Sequence, residues 1–319
     1  MLQHCESPPW LARLRALLLA ALFLILGSCA GSEPITQPEG LDNGSISGGT
    51  DSPSLAIGYA GGIPFGMWDL PSNQIGSIYN GALRNARILI ETGTFHTTLA
   101  AIKSRGGKVV LQLTGHHKYY LDANGHFSMT KWKERLNMFK GVNFSSYITD
   151  GTIIAHMLID EPSDASNWGG VPVSQATVEA MAKYSKQLWP GMATLARVES
   201  TYLAQWSGTY QYLDGAWAQW VARKGDPLVF INRNVTDAKK KGLSLGVGLN
   251  TEHGYFGQRM SASLIKSAGS ALLSSTYPCT FLSWTWDGEE VYLTTTAVKD
   301  AMKYLRAKAQ NRTFKSCKS

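Results

Sequence analysis

The fold is decided by one stretch, Ile153-Ile154-Ala155-His156-Met157-Leu158-Ile159-Asp160-Glu161-Pro162. An apolar run with β-branched residues is the pattern of a strand covered on both faces, as in a parallel sheet. Asp160 and Glu161 end the run. Pro162 stops it, because proline has no N–H to give a ladder. Two carboxylates at the end of a buried strand are costly unless they are paired or used. In an α/β barrel that end belongs to the C-terminal face, where the chemistry sits.

Strand-like and helix-like segments alternate on both sides of this stretch, which predicts a parallel α/β architecture. The strand candidates are Leu55–Ala60, Ala86–Glu91, Lys108–Leu113, Ile153–Ile159, Ala193–Val198, Tyr212–Ala216, Leu245–Leu249 and Thr280–Trp286. Phe65 and Trp68 fall in a Gly/Pro-rich loop after the first of them. The helix candidates are Thr130–Lys140, Ser174–Leu188 with Ser174 as N-cap, Asp226–Lys241, Ser261–Leu273 and Thr294–Lys308. Ala86–Glu91 is ambiguous, since Arg87–Ser104 also reads as one helix; without it the count is seven strands. With it the count is eight. The reading is a single-domain TIM-type (β/α)8 barrel over residues 55–312, about 260 residues long, followed by a tail, 313–319.

The N-terminus reads as an address. Arg13 and Arg15 precede the apolar run Ala16–Leu26, which is short for a membrane span. It ends in Leu26-Gly27-Ser28-Cys29. That tetrapeptide resembles the lipobox of bacterial lipoprotein signal peptides. The resemblance implies a signal peptide over 1–28, lipidation of Cys29, and an exported protein held to a membrane through that anchor only, in the cell envelope or at the surface. An ordinary secretory signal cut nearby is the other reading. Residues 29–54 are rich in Ser, Gly, Pro, Asn and Asp, a composition that buries no core and suits a flexible tether.

Of four cysteines, Cys5 lies in the signal and Cys29 at the lipidation position. Cys279 and Cys317 remain, and in an exported protein they are expected to form a disulfide between the tail and the last strand. Neither lies in a CxxC or a zinc spacing, so no metal and no cofactor is expected. The formal charge is +7, a mild excess that suits anionic glycans or envelope phosphates. The basic residues are scattered, and Lys239-Lys240-Lys241 reads as a solvated helix end. No nucleic-acid module is present, and the chain is expected to act as a monomer.

Glu161-Pro162 after strand four and Glu252 after strand seven resemble the largest clan of retaining glycoside hydrolases on (β/α)8 barrels. In that clan Asn-Glu-Pro closes strand four, with the glutamate as acid/base. The strand-seven glutamate is the nucleophile, and an aromatic residue often closes strand eight. The resemblance implies Glu161 as acid/base, Glu252 as nucleophile, and Trp284 or Trp286 at the strand-eight position. The chain departs from the pattern at Asp160, which stands where the asparagine that holds the sugar 2-hydroxyl is expected. No single family is matched.

Glycosidic cleavage needs a proton for the leaving oxygen and stabilisation of an oxocarbenium-like centre, and two carboxyl groups can do both. Alternate strand residues face opposite ways. Asp160, a candidate substrate contact, either raises the pKa of one of the two acids, or the two point apart, with Glu161 facing the barrel mouth and Asp160 capping a neighbouring helix or binding backbone. Glu199, Asp214 and Asp287 compete with Glu252 for the second role. His116 and His117 end a strand and are candidates to contact substrate or orient a carboxylate. Trp68, Tyr119, Tyr120, Trp168, Trp206, Trp217, Trp220, Trp284 and Trp286 fall mostly near strand ends. Sugar rings stack their C–H faces on such side chains. Trp217 and Trp220 cannot both face the same way. Trp168 is the favoured binding platform, with Trp68, Trp284 and Trp286 as further candidates.

The expected activity is hydrolysis of a glycosidic bond in an oligo- or polysaccharide. A non-catalytic glycan-binding lipoprotein on the same scaffold is the alternative. A hydrolase that uses Asp160 and the two histidines is a third reading.

Overall fold

A computed structural model describes residues 62–76, 78–286 and 292–319. The signal peptide at 1–28, Cys29, the tether at 29–54, the strand expected at Leu55–Ala60, and Asp287 all lie outside the described residues. Eight parallel strands close into a barrel in sequence order. They are β1 (Phe65–Trp68), β2 (Gly81–Asn85), β3 (Lys108–Gln112), β4 (Ile153–Asp160), β5 (Thr194–Arg197), β6 (Gly215–Trp220), β7 (Ser244–Leu249) and β8 (Thr280–Ser283). Around them lie α1 (Ala86–Glu91), α2 (Phe95–Ser104), α3 (Met129–Asn137), α4 (Ser145–Thr149), α5 (Gln175–Leu188), α6 (Ser200–Ala204), α7 (Pro227–Lys240), α8 (Ala262–Leu272) and α9 (Thr296–Gln310). The expected TIM-type (β/α)8 barrel is the observed fold. Among the described residues no helix is long and apolar enough to cross a membrane.

Two strands lie elsewhere than the sequence pattern suggests. The first strand of the closed barrel is Phe65–Trp68, which reads as loop because Gly66 breaks its apolar run. A Cβ on Gly66 would lie 1.6 Å from the Gly81 carbonyl oxygen, so only glycine allows β1 and β2 to pair there. Ala86–Glu91 is a helix, not a strand: the Asn85 side chain accepts from the N–H groups of Arg87 and Ile88 and caps it. The second strand is the segment before that cap. The sixth strand begins near the end of its expected range and runs on to Trp220.

The longer helices start where a capping side chain meets the chain. Ser128, Ser174, Asp226 and Ser261 each accept from a backbone N–H of the first turn, and Pro227 follows Asp226 at the first helical position. Two apolar clusters result. The larger lies between strands and helices. The smaller gathers Trp68, Leu83, Val110, Met157, Leu195, Trp217 and Leu282, one or more from most strands, and fills the barrel. Trp217 belongs to the inner cluster and Trp220 to the outer one, so the two indoles do face apart.

The base of the barrel is closed by the C-terminal tail. Cys279, just before β8, is disulfide-bonded to Cys317, and both belong to the inner cluster. The Ser244 hydroxyl donates to the Cys317 carbonyl at 2.7 Å. The Ser319 N–H donates to Asp214 at 3.2 Å.

Candidate functional site

The mouth is organised by an irregularity in β4. Its pairing with β5 runs Met157 with Leu195, then Ile159 with Ala196 and Asp160 with Arg197, so one extra residue is accommodated between Met157 and Ile159. Met157 belongs to the inner cluster, and both Leu158 and Ile159 to the outer one. The inside–outside alternation therefore slips by one. Asp160 meets Arg197, its carboxylate accepting from the Arg197 Nε. Of the two readings of Asp160, the one in which strict alternation turns it away to cap a helix or bind backbone does not hold, because of this slip.

Glu161 leaves the strand with φ +47°, a left-handed conformation that a non-glycine residue adopts at a cost of about 1–2 kcal/mol. Three hydrogen bonds hold it there. Its N–H donates to the Arg197 carbonyl at 2.9 Å, and its carbonyl accepts from the Asp164 N–H at 3.0 Å and the Trp168 indole at 2.9 Å. Residues held in such conformations cluster at functional sites. The Glu161 side chain remains 43% exposed, with one oxygen 3.4 Å from Arg197.

Arg197 is the hub. It is buried and reaches Asp160, Glu161 and the Gln219 side-chain oxygen, the last at 2.6 Å. The guanidinium lies 5.6 Å from the Trp217 ring and 5.3 Å from the Trp284 ring. Burial works against its charge, but Asp160 and Glu161 outweigh that, and its pKa is raised. Trp68 packs at 6.1 Å from Trp217 and 4.7 Å from Trp284, so three indoles floor the mouth. Beyond them Asp69, at φ +52°, accepts from the Trp68 indole. Burial raises its carboxyl pKa, against the opposing pull of Arg84.

A cleft of about 420 Å³ opens over the ends of β4, β5 and β6. Glu161 and Asp164 line it on one side, and Glu199, Arg223, Lys224 and Arg233 also line it. Glu199 is held by Lys224 at 3.0 Å and Arg233 at 2.8 Å. Burial pushes its carboxyl up, but the two cations win and hold it below the usual range. Burial lowers the Lys224 pKa, opposed by Glu199 and Glu161.

The other expected residues are distributed as follows. Glu252, three residues past β7, is buried; one oxygen lies 3.4 Å from Arg259, and the other has no hydrogen-bond partner among the described residues. It does not line the cleft that holds Glu161. Asp214 lies at the opposite end of the barrel, bonded to Thr194, Lys186 and Ser319, and cannot serve the mouth. Trp168 is fully buried beneath Glu161, so it fixes the loop and offers no open face for stacking. Trp68 is likewise buried, while Trp284 and Trp286 are half-buried at the mouth. The His116 and His117 rings lie 4.2 Å apart, tilted by 36°, after β3. Burial, His117 and Lys118 lower the His116 pKa, and Asp160 opposes them. One Asp160 oxygen is paired with Arg197, and its charge also reaches His116. Among the described residues no group of three or more His, Cys, Asp or Glu could hold a metal ion.

Sequence reasoning missed Arg197, Gln219, Asp69, Arg223, Lys224 and Arg233. Arg197 had a signal: a lone arginine inside the apolar segment Ala193–Val198 must find buried acceptors. The others depend on which strands become neighbours.

No protein-family model and no curated protein sequence matches the chain. Solved structures do. An endo-β-1,4-mannanase from Thermotoga petrophila superposes with TM-score 0.52 and 11% identity, over 79% of this chain and 77% of that one. An exo-β-1,4-mannosidase from Opitutaceae bacterium strain TAV5 gives 0.54 and 13%, over 78% and 60%. Saccharomyces cerevisiae Gas2p in complex with laminaripentaose gives 0.52 and 11%, over 75% and 57%. At these identities the likeness establishes the fold: the chain has the (β/α)8 barrel that these carbohydrate-active proteins share.

Proposed function

We propose that this protein hydrolyses a glycosidic bond in an oligo- or polysaccharide, with Glu161 as acid/base. The observation that carries the reading is the Glu161 carboxyl itself: it opens into the cleft at the end of β4, on a left-handed backbone held by three hydrogen bonds. Carbohydrate-active barrels among the structural neighbours support the substrate class. Glu252 is the proposed nucleophile, from its place after β7 and its unpartnered buried oxygen. Glu199 is its competitor, because it shares the cleft with Glu161.

Glu161→Gln is expected to stay folded and to lose about 10²–10⁴-fold in turnover, the usual worth of general acid–base help. Aryl glycosides with good leaving groups suffer less in the first step, and azide rescues turnover by attacking the glycosyl-enzyme. Glu252→Gln abolishes activity on every substrate; if Glu199→Gln does so instead, the nucleophile is Glu199. A folded Glu161→Gln with full activity across a glycan panel would overturn the assignment.

Two observations favour a second reading, a glycan-binding protein without catalysis. Glu252 is outside the Glu161 cleft, and Glu199 is held by two cations. Under that reading the wild type retards in gels containing its glycan yet releases no reducing ends. The chain is further proposed to be exported and lipidated at Cys29. Wild type then partitions into detergent and Cys29→Ala does not; equal partitioning removes the anchor.

A further inference from the structure

The cleft is polarised. On the β4 side the lining carboxylates are Glu161 and Asp164, with Asp160 behind them, and Arg197 is the cation that Glu161 and Asp160 face. On the side of β6 and α7 the lining cations are Arg223, Lys224 and Arg233, with Glu199 as their shared carboxylate. Lys224 and Arg233 each take one oxygen of Glu199. Arg223 is exposed and has no ion-pair partner among the described residues. The aromatic lining is Tyr202 and Trp217, and Trp217 is buried under Arg197. A neutral polysaccharide is commonly held by several open aromatic faces, and this cleft offers only the half-buried Tyr202. It presents guanidinium groups and an ammonium on one wall, the groups that pair with carboxylates and sulfates.

We propose that the natural ligand is an anionic saccharide whose charged substituent seats on the basic wall at Arg223, beside Lys224 and Arg233. This deepens the glycosidase reading and rests on its choice of cleft. The sugar bond lies at the acidic wall near Glu161, and the charge of the adjoining ring sets the orientation. The substituent is a carboxylate of a uronic acid or a sulfate ester; both give the same charge-assisted bonds to a guanidinium.

The test is direct binding by calorimetry to the full-length Glu161→Gln variant, in which the proposed acid is absent and the ligand is not consumed. The probes are a uronic-acid oligosaccharide, a sulfated oligosaccharide and a neutral gluco- or manno-oligosaccharide of equal length. At least one anionic probe is expected to bind roughly 10-fold or more tighter than the neutral one, the worth of one charge-assisted hydrogen bond. The advantage should shrink with added salt. The arm that binds tighter identifies carboxylate or sulfate. Arg223→Gln should remove most of the preference and Arg223→Glu should reverse it; Arg223 is on the surface, so neither change threatens the fold. Neutral binding as tight as anionic, no binding of either anionic probe, or an unchanged preference in Arg223→Gln overturns the proposal. Wild type that binds the anionic probe but never cleaves it removes the glycosidase reading and leaves this one standing.

Discussion

A buried carboxylate and a half-buried one mark the two ends of the barrel, and they are treated differently. At the base, Asp214 accepts from the Thr194 N–H at 2.7 Å, the Thr194 hydroxyl at 3.1 Å and the Ser319 N–H at 3.2 Å, and pairs with Lys186 at 2.5 Å. All of its partners belong to the closed framework. At the mouth, Asp160 shares one guanidinium with Glu161 and Gln219, and Glu161 keeps much of its surface open to the cleft. A saturated carboxylate is a staple. An under-supplied one beside a cavity still has bonds to offer a ligand.

Three changes break or sharpen that contrast. Arg197→Met should have the largest effect on stability, because it leaves Asp160 half-buried and unpaired; breaking such a pair costs about 3–5 kcal/mol. Urea midpoints read the loss, and Asp160→Asn added to Arg197→Met should recover part of it. An unchanged midpoint would mean the mouth does not depend on its hub. Next, replacing Cys279 and Cys317 together by serine opens a loop with a sequence separation of 38. The expected loss is about 2–4 kcal/mol, with glycan binding intact wherever the variant is folded. Loss of binding in a folded variant would couple the two ends. The smallest effect concerns His156, on the outer face of β4 between Trp132 and Trp189, with Ser185 as its partner. Burial pushes its pKa down from 6.5 to about 3. The unfolded chain takes up a proton below pH 6.5 that the folded chain refuses, so stability falls as pH drops toward 3. Between pH 7 and 5 this removes about 2 kcal/mol. His156→Phe should flatten that share of the loss; equal losses in wild type and variant would refute the account.

The barrel was readable because its central evidence is local. The β4 run, the strong caps at Ser174 and Asp226, and the alternation of elements all lie within short windows. The missed strand at Phe65–Trp68 and the ambiguous Ala86–Glu91 share a cause: a short strand interrupted by Gly66, or a cap at Asn85, outweighs hydrophobic pattern. The place of Glu161 was readable, and so was its exit from a buried strand. Its relation to Asp160 was not, because the slip between Met157 and Ile159 is set by pairing with β5. The burial of Trp168 and the remoteness of Asp214 were hidden for the same kind of reason: each depends on partners far along the chain.

The slip in β4 makes the mouth a matter of parity. Between Met157 and Asp160 the chain has one residue more than a regular ladder would count. Removing that residue, Leu158, would leave a regular ladder in which Ile159 still meets Ala196 and Asp160 still meets Arg197. Only a second deletion between Met157 and Asp160 would seat Glu161 opposite Arg197 and turn Asp160 toward the helices. The surplus residue is thus a spare codon: the strand can lose one residue and keep its two acids in place, but it cannot lose two.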